Sequence, residues 1–379
     1  MLATAAALAA CGGDSGAATG GAAAGPAASA TVRIDLAPNP IWEWIEGSGG
    51  LSRWSQLHDI RAEVTNSFDQ FAAFGSGHAD IVVTNALEVG SFVQDSDREP
   101  LIVGKLTTDR SILAVSRSTR TVDTLEDLVD RRIAVENSLG SELLWGVIAE
   151  ALYGLEFEDG GSDFDLVLVD PASVADLVLR GDVDGCICLP DYSAPYLADG
   201  RLVPLYGGRS AAEIYAQEVL EDTDPDALPM QLVFIVDKDW LEANLVIVEH
   251  VFELWETGLR QWAAGRGQIV SDFRHLFSAQ TVEEIDWMTR HLNDHDWMAP
   301  SVYLKESDVG NFAEVQFRVK RAGLIPADAV EPGMRVLQFH SHDEDEHEEE
   351  HGEHEEEQGE EEEEHGEDGE ATGMGERAA

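Results

Sequence analysis

Two segments of the chain place hydrogen-bonding side chains directly after a short buried strand. In the first, Asp80 precedes the apolar residues 81–83, and Thr84–Asn85 follow them. In the second, the apolar residues 185–189 lead into Asp191–Tyr192. Hydroxyl, amide and carboxylate groups in such positions bind small polar molecules. Because the ligand crevice of open α/β sheets lies beyond the carboxyl ends of the strands, we predict that these four polar side chains contact a ligand.

The two segments repeat one construction about a hundred residues apart, which predicts two α/β lobes with a cleft between them. Alternating strands and helices predict mostly parallel sheets flanked by helices. We expect 101–115 to be one extended segment that crosses between the lobes, and 202–206 to cross back. A polar loop is expected at 190–192, a long helix at 239–264 and further helices to about 335. The predicted division is lobe one at 31–108 and 206–338, and lobe two at 109–205.

Length and charge limit the class of protein. The 379 residues exceed what one core normally holds, so two lobes or domains are expected. The net charge is −50, and residues 341–379 carry 20 acids and one arginine, which leaves the body near −31. Nucleic acid is excluded as a partner because phosphate contacts need a basic stripe. Such acidity fits a secreted protein in salty water, and no apolar run approaches the roughly eighteen residues of a membrane span.

The N-terminal residues 1–11 resemble the signal of a bacterial lipoprotein, with Leu8–Cys11 as its lipobox. The resemblance implies a lipid on the Cys11 sulfur and a membrane-anchored protein. No Lys or Arg precedes the apolar stretch, a departure that a start codon assigned too late would explain. Residues 12–30 are almost wholly Gly, Ala, Ser and Pro, which predicts a flexible tether. An ordinary alanine-rich N-terminus is the alternative.

The motifs of common enzyme classes are absent from the sequence. It contains no P-loop, no G-x-S-x-G, no H-E-x-x-H and no dinucleotide fingerprint. Cys186 and Cys188 lack the C-x-x-C spacing of redox and metal sites, so we predict that they are small core residues. The sequence therefore favours a binding protein over an enzyme, with no cofactor.

Further segments follow in a recognisable order. These are Leu125–Val129 before a strand at 132–135, Asn137–Ser138 at a helix start, Arg180–Gly185, and Asp237–Asn244. Together with the two segments above, they resemble the type II solute-binding proteins of ABC importers, in the nitrate, sulfonate, taurine and thiamine-pyrimidine group. The resemblance covers residues 31–330. It implies a two-lobe periplasmic-binding-protein type II fold hinged on two crossover strands, and an extracytoplasmic monomer that delivers a small solute to an ABC permease.

Other candidate ligand contacts lie at the ends of further elements. Asn39 and Trp42 follow the first predicted strand, and a plain core position is the alternative for Trp42. Asn137, Ser138 and Ser141 lie at a helix N-terminus, where N–H groups and the helix dipole favour an anion. Simple capping is the alternative for these three residues.

The charge of the ligand stays open at this stage. The carboxylate of Asp191 suits an amine or hydroxyl and opposes a bare anion, unless Lys105 or Arg110 offsets its charge. A sulfonate or nitrate requires hydrogen-bond donors instead. A zwitterion of the taurine type would satisfy both requirements.

The C-terminal residues 339–379 are rich in His and Glu, and their charge density predicts disorder. Such a tail could hold divalent metal weakly or act as a solubilising segment. Two other functions stay open: a metal-binding protein that acts through the tail, and an enzyme of the pyrimidine-precursor synthase type. That enzyme would need a sacrificial His beside a Cys-rich loop, which the sequence lacks. The candidate metal ligands of the tail are His340, His342, His347, His351 and His354.

Overall fold

A computed structural model describes residues 30–95, 98–119, 121–136, 140–157, 161, 163–222 and 228–339. Cys11, the tether before Ala30, Asn137, Ser138 and the histidines of the tail lie outside these ranges. The chain divides into one compact unit that ends at Leu337 and a second unit that follows it. Every element named below belongs to the first unit. None of the helices in the described ranges combines the length and the apolar character that crossing a bilayer requires.

The described strands form two separate sheets. In chain order they are β1 (Ala30–Leu36), β2 (Ile60–Asn66), β3 (Ile81–Asn85), β4 (Pro100–Thr108), β5 (Ile112–Ser116), β6 (Arg131–Glu136), β7 (Phe164–Val169), β8 (Gly185–Cys188), β9 (Leu202–Pro204), β10 (Met230–Asp237) and β11 (Gly333–Met334). The first sheet has the order β11-β4-β10-β3-β1-β2, and the second has the order β7-β6-β8-β5-β9.

Helices flank both sheets. They are α1 (Pro40–Gly47), α2 (Gly50–His58), α3 (Gln70–Gly75), α4 (Val89–Asp95), α5 (Ser141–Tyr153), α6 (Pro171–Arg180), α7 (Pro190–Ala198), α8 (Ala211–Ile214), α9 (Lys238–Asp272), α10 (Val282–Asp294) and α11 (Glu306–Arg321). The predicted long helix corresponds to α9, whose backbone leaves helical geometry at Asn244 and Gly265. The predicted α/β architecture with two sheets is confirmed.

Each sheet combines parallel pairs with antiparallel crossing strands. In the first sheet β1 pairs in parallel with β2 and β3, whereas β10 runs antiparallel between β3 and β4. In the second sheet β6 pairs in parallel with β7 and β8, and β5 runs antiparallel to β8 and β9. The register aligns Leu232 with both Asn85 and Thr107. The end of β3, the start of β10 and the end of β4 therefore meet at one edge of the first sheet.

The second sheet contains Cys186 and Cys188. Cys186 and Cys188 are buried on β8 and pack with the apolar residues of α6, including Val174 and Val178. The prediction that they are core residues is confirmed. Helix α6 ends at Gly181, whose φ of +75° lies in the left-handed region that glycine adopts without strain.

The predicted extended segment 101–115 is two strands rather than one. β4 belongs to the first sheet and β5 to the second, so the segment does cross between the sheets as expected. Asp109 breaks the extended path, because its carboxylate accepts hydrogen bonds from the backbone and hydroxyl of Ser111 at 2.8 and 2.6 Å. The predicted return at 202–206 forms β9, which stays in the second sheet. The next strand of the first sheet in chain order is β10.

Two predicted segments have the wrong secondary structure. Pro190–Tyr192 is the first turn of α7 and not a loop, because proline at the first helical position has a suitable φ and needs no N–H partner. The region expected to be helical to about 335 contains α10 and α11, but residues 295–305 and 322–335 are not helical. Residues 295–305 form isolated bridges to β4, where Tyr303 pairs with Gly104 and Met298 pairs with Thr107, and residues 322–335 include β11.

The C-terminal helices contact elements of both sheets. Helix α10 packs on α7 and α9, and α11 packs on α5. Val315 and Val319 of α11 belong to the core of the second sheet, whereas Phe312 belongs to the core of the first. The predicted boundaries of the two lobes stay a prediction.

Candidate functional site

A cavity of about 270 Å³ lies where the ends of β1, β3 and β4 meet α7 and the extended residues 295–305. Five of the predicted ligand contacts line it, although they come from separate parts of the chain. They are Asn39, Thr84, Asn85, Asp191 and Tyr192. Its remaining walls include aromatic and aliphatic side chains from the first sheet and from the turn at 275–278.

The two asparagines are fixed by capping bonds. Asn39 is the N-cap of α1, and its Oδ1 accepts hydrogen bonds from the N–H groups of Ile41 and Trp42 at 2.9 and 3.3 Å. Asn85 caps the 3₁₀ turn that follows β3, where its Oδ1 accepts from the N–H of Leu87 at 2.9 Å. These bonds orient both amide groups in the cavity wall.

A buried ion pair joins Arg110, which lies between β4 and β5, to Asp191 in the first turn of α7. Nε and Nη2 of Arg110 donate to the two carboxylate oxygens of Asp191, each at 3.1 Å, and both side chains are 11% exposed. Nη1 of Arg110 donates to Gln231 Oε1 at 3.3 Å. Burial acts to lower the pKa of Arg110, but the charge and hydrogen bonds of Asp191 outweigh it and raise the pKa.

The pair shows which residue offsets the charge of Asp191. Arg110 offsets Asp191, so the carboxylate does not repel an anion as it would alone. Lys105 does not take part, because its Nζ lies 2.8 Å from Asp308 Oδ1 in a separate buried pair. Three of the five N–H donors of Arg110 are engaged, which leaves donors for a ligand.

The aromatic wall comes from residues other than the predicted one. Trp297 lines the cavity, and the guanidinium carbon of Arg110 lies 5.7 Å from its ring centroid. Trp42 does not line it: its ring packs on Trp255 in the core, with centroids 5.6 Å apart. Trp42 is therefore a core residue, which was the alternative to a ligand contact. Pro300 could have indicated that Trp297 lies outside a helix, since proline disfavours helix in the residues before it.

Glu88 is a cavity residue that sequence reasoning missed. It lies in the 3₁₀ turn after β3, lines the cavity, and has no hydrogen bond or ion pair to any other residue that the structure describes. Burial, with a smaller contribution from the charge of Glu136, raises its pKa to about 7. Glu88 therefore changes its charge near neutral pH, at a position where a ligand can reach it.

Further carboxyl groups surround the start of α5. Glu136 is fully buried, and its Oε1 accepts from the N–H of Ser141 at 3.4 Å. Burial raises the pKa of Asp109 to about 6 and that of Glu142 to about 7. At this helix start, where the sequence predicts an anion site, the N–H of Ser141 therefore bonds to the protein's own carboxylate on Glu136. Ser141 itself is buried and does not line the cavity.

These groups make the cavity suited to binding. It offers amide and hydroxyl groups for hydrogen bonds, donors on Arg110, an acid at Glu88 and flat apolar surfaces. Among the described residues, a set with metal-ligand spacing lies elsewhere, on α2 and α9 (His58, His250 and Glu253). The cavity therefore favours a small organic molecule with both polar and apolar parts.

Comparisons with known proteins agree at the level of the fold. The sequence matches no protein-family model and no curated protein. Among solved structures, the chain is similar to the periplasmic aliphatic sulphonate-binding protein SsuA of Escherichia coli, with 15% identity, a TM-score of 0.63 and coverage of 82% of this chain and 94% of that one.

Two other solved structures are similar. The alkanesulfonate-binding protein SsuA of Xanthomonas axonopodis pv. citri, bound to MOPS, has 16% identity and a TM-score of 0.61, with 83% and 99% of the two chains covered. The periplasmic nitrate-binding protein NrtA of Synechocystis PCC 6803 has 12% identity and a TM-score of 0.55, with 80% and 86% covered. The predicted fold is thus confirmed: the chain has the fold of the periplasmic binding proteins that serve ABC importers.

Proposed function

We propose that this chain is an extracytoplasmic solute-binding protein of an ABC importer that captures a small polar organic solute. One observation carries the proposal. Thr84–Asn85 and Asp191–Tyr192, which end two similar segments of the sequence, line a single cavity. A binding protein requires this convergence, whereas a plain structural role for these side chains does not.

The cavity supports a ligand that carries both signs of charge, of the taurine type. The N–H donors of Arg110 that Asp191 and Gln231 leave unused suit a sulfonate or carboxylate group. Glu88 suits an ammonium group. MOPS, with which the Xanthomonas protein was solved, is itself a sulfonate with an amine. A volume of about 270 Å³ lies at the small end of ligand pockets.

Delivery to a permease follows from this function. A solute that contacts residues of both sheets binds a closed arrangement better than an open one, and so shifts the protein toward closure. In this proposal the lipid on Cys11 and the tether at 12–30 keep the body next to the membrane that holds the permease, with the body acting as a monomer. One acyl chain gives only marginal anchoring, so the lipid modification must supply more than one.

Calorimetry with purified protein tests the proposal. The panel contains taurine, an alkanesulfonate without an amine, nitrate, a pyrimidine and Zn²⁺. We expect taurine-like compounds to bind with 1:1 stoichiometry, and a Kd near ~1 μM corresponds to roughly 8 kcal/mol. Binding of none of the organic solutes, or binding of Zn²⁺ alone, would overturn the proposal.

Matched valine variants locate the binding. Thr84→Val removes a hydroxyl from the cavity wall at nearly constant volume, and should weaken binding about tenfold if that hydroxyl bonds the ligand. Thr65→Val makes the same change on β2, where Thr65 is exposed and outside the cavity. Equal affinities for both variants would place the ligand elsewhere.

The two alternative functions have less support. His275 lines the cavity, but the described cysteines Cys186 and Cys188 lie in the core of the second sheet. The arrangement that a pyrimidine-precursor synthase needs, a histidine beside a cysteine-rich loop, is therefore not supported here. Metal binding through the tail concerns residues outside the described ranges, and Zn²⁺ calorimetry tests it when the unchanged chain is compared with a variant that has glutamine at the histidines of the tail.

A further inference from the structure

Three side chains with metal-ligand chemistry meet on a face away from the cavity. His58 is the last residue of α2, while His250 and Glu253 lie one turn apart on α9. His250 Nδ1 lies 3.0 Å from Glu253 Oε2, and His58 Nε2 lies 3.9 Å from the same oxygen. One ligand atom from each of the three residues lies within 4.8 Å of the others.

We propose that His58, His250 and Glu253 form a binding site for a divalent transition-metal ion such as Zn²⁺. Zinc binds imidazole nitrogen and carboxylate oxygen at about 2.0–2.2 Å. A tetrahedral ion therefore needs its ligand atoms roughly 3.4 Å apart, and the two distances above lie on either side of that value. Small side-chain rotations would bring the three atoms around one ion, with the fourth position left for water.

The packing of α2 on α9 already brings these residues together. Trp54 is buried, and its Nε1 donates to the backbone oxygen of His250 at 2.7 Å. The imidazole rings of His58 and His250 lie 3.8 Å apart between centroids. Because contacts outside the cluster hold the two helices together, the three ligand side chains lie close to one another before an ion binds. Ion binding would therefore require little reorganisation of the helices.

Exposure and charge also suit an ion. The side chains of His58 and His250 are 16% and 25% exposed and that of Glu253 is 49% exposed, so an ion can enter from solvent. Neutral imidazole nitrogen and carboxylate oxygen are ligand types that such an ion binds.

This site differs from the histidine-rich tail in one measurable respect. Its ligands come from distant parts of the chain and meet only when α2 packs on α9. An ion bound here must therefore stabilise the folded protein. The sequence predicts a disordered tail, and a disordered tail would offer its histidines equally in the folded and unfolded chain, so metal bound there would add no stability.

Thermal unfolding of the full chain with and without ZnCl₂ tests the proposal. At a Zn²⁺ concentration about 100 times Kd, we expect Tm to rise by roughly 5 °C. His58→Gln and His250→Gln should abolish the rise. A variant with glutamine at His340, His342, His347, His351 and His354 should retain it, as should His78→Gln, which changes a histidine outside the cluster.

Glu253→Gln provides a milder variant with the side-chain shape retained, and should weaken Zn²⁺ binding about tenfold with the apo Tm unchanged. Visible absorption of Co²⁺ in the tail variant reports ligation directly, with four- or five-coordinate bands that the His58→Gln change removes. A Zn²⁺-induced rise that survives both histidine variants, or that disappears in the tail variant, would overturn the proposal. Solute binding in the cavity is measured separately and does not depend on these results.

Discussion

Arg110 and Asp191 form two parallel hydrogen bonds of 3.1 Å between the segment that leaves β4 and the first turn of α7. The pair lies in the wall of the cavity at one end of the second sheet, next to the paired residues Ile112 of β5 and Cys188 of β8, and both of its side chains are nearly excluded from solvent. It therefore has two consequences. It holds Arg110 against the first turn of α7 in the cavity wall, and it cancels a carboxylate that would otherwise repel an anionic ligand.

Arg110→Met should destabilise the protein strongly. Removal of the guanidinium leaves the buried carboxylate of Asp191 uncompensated, which typically costs about 3–5 kcal/mol. Urea unfolding should show a lower midpoint, and binding of a taurine-like solute should be lost.

Two further variants make this result interpretable. Arg180→Met removes an exposed pair with Asp182 and should change stability by less than about 1 kcal/mol. Adding Asp191→Asn to Arg110→Met removes the orphaned charge and should recover part of the stability. No recovery in the double variant would mean that packing, and not charge, explains the loss.

Glu88 should make solute binding depend on pH. Its pKa of about 7 means that it is mostly neutral at pH 6 and mostly ionised at pH 8. Affinity for a solute with an ammonium group should therefore rise up to about tenfold across this range, as calorimetry at several pH values would measure.

Glu88→Gln should remove most of this pH dependence. Glu136, Glu142 and Asp109 also face this region, and the pKa values of Glu142 and Asp109 are raised too. Glu142→Gln is therefore the matched control and should leave most of the slope. If Glu142→Gln flattens the profile and Glu88→Gln does not, the ammonium group lies at Glu142.

His295 should stabilise the fold more in mild acid than in base. Its Nδ1 lies 3.0 Å from Glu213 Oε1, and this hydrogen bond raises the pKa of His295 above its usual value near 6.5. A raised histidine pKa adds stability that is fully present below pH 6.5 and is lost as the pH rises through the folded-state pKa.

The variant His295→Gln should accordingly cost more stability at pH 6 than at pH 8.5, as chemical unfolding at both values would measure. His78→Gln serves as the control, because His78 is exposed and bonds to Ser76 rather than to an acid. An equal cost of His295→Gln at both pH values would contradict the charged pair.

Gly258→Ala should destabilise the protein by about 1–3 kcal/mol. A Cβ at this position of α9 would lie 2.5 Å from Ile41 Cγ2 and 2.9 Å from Ile45 Cδ1, so α1 would have to move away. Gly310→Ala on α11 is the control, since a Cβ there meets nothing within 4 Å. Gly310→Ala should stabilise the protein by up to about 1 kcal/mol. Equal effects of the two changes on stability would contradict the close packing of α1 on α9.

The amino-acid sequence by itself determined the α/β fold and the polar strand ends that line the cavity. Residues 81–85 and 185–188 carry short-range patterns, because a buried strand needs a run of apolar residues and its end needs a polar or turn-forming one. Such local signals correctly predicted β3, β8 and the convergence of Thr84–Asn85 with Asp191–Tyr192. They also identified the kind of fold that the comparisons support.

Only the tertiary structure decided which partners these residues meet. The sequence offered both Lys105 and Arg110 as residues that could offset Asp191, and only the structure shows that Arg110 is the partner. The sequence did not indicate that Trp297 rather than Trp42 faces the cavity, or that Glu88 has a pKa near 7. These properties depend on residues far apart in the chain. Burial and charge pairing are set by the packing of whole elements, and a local pattern does not specify which individual side chain becomes the partner.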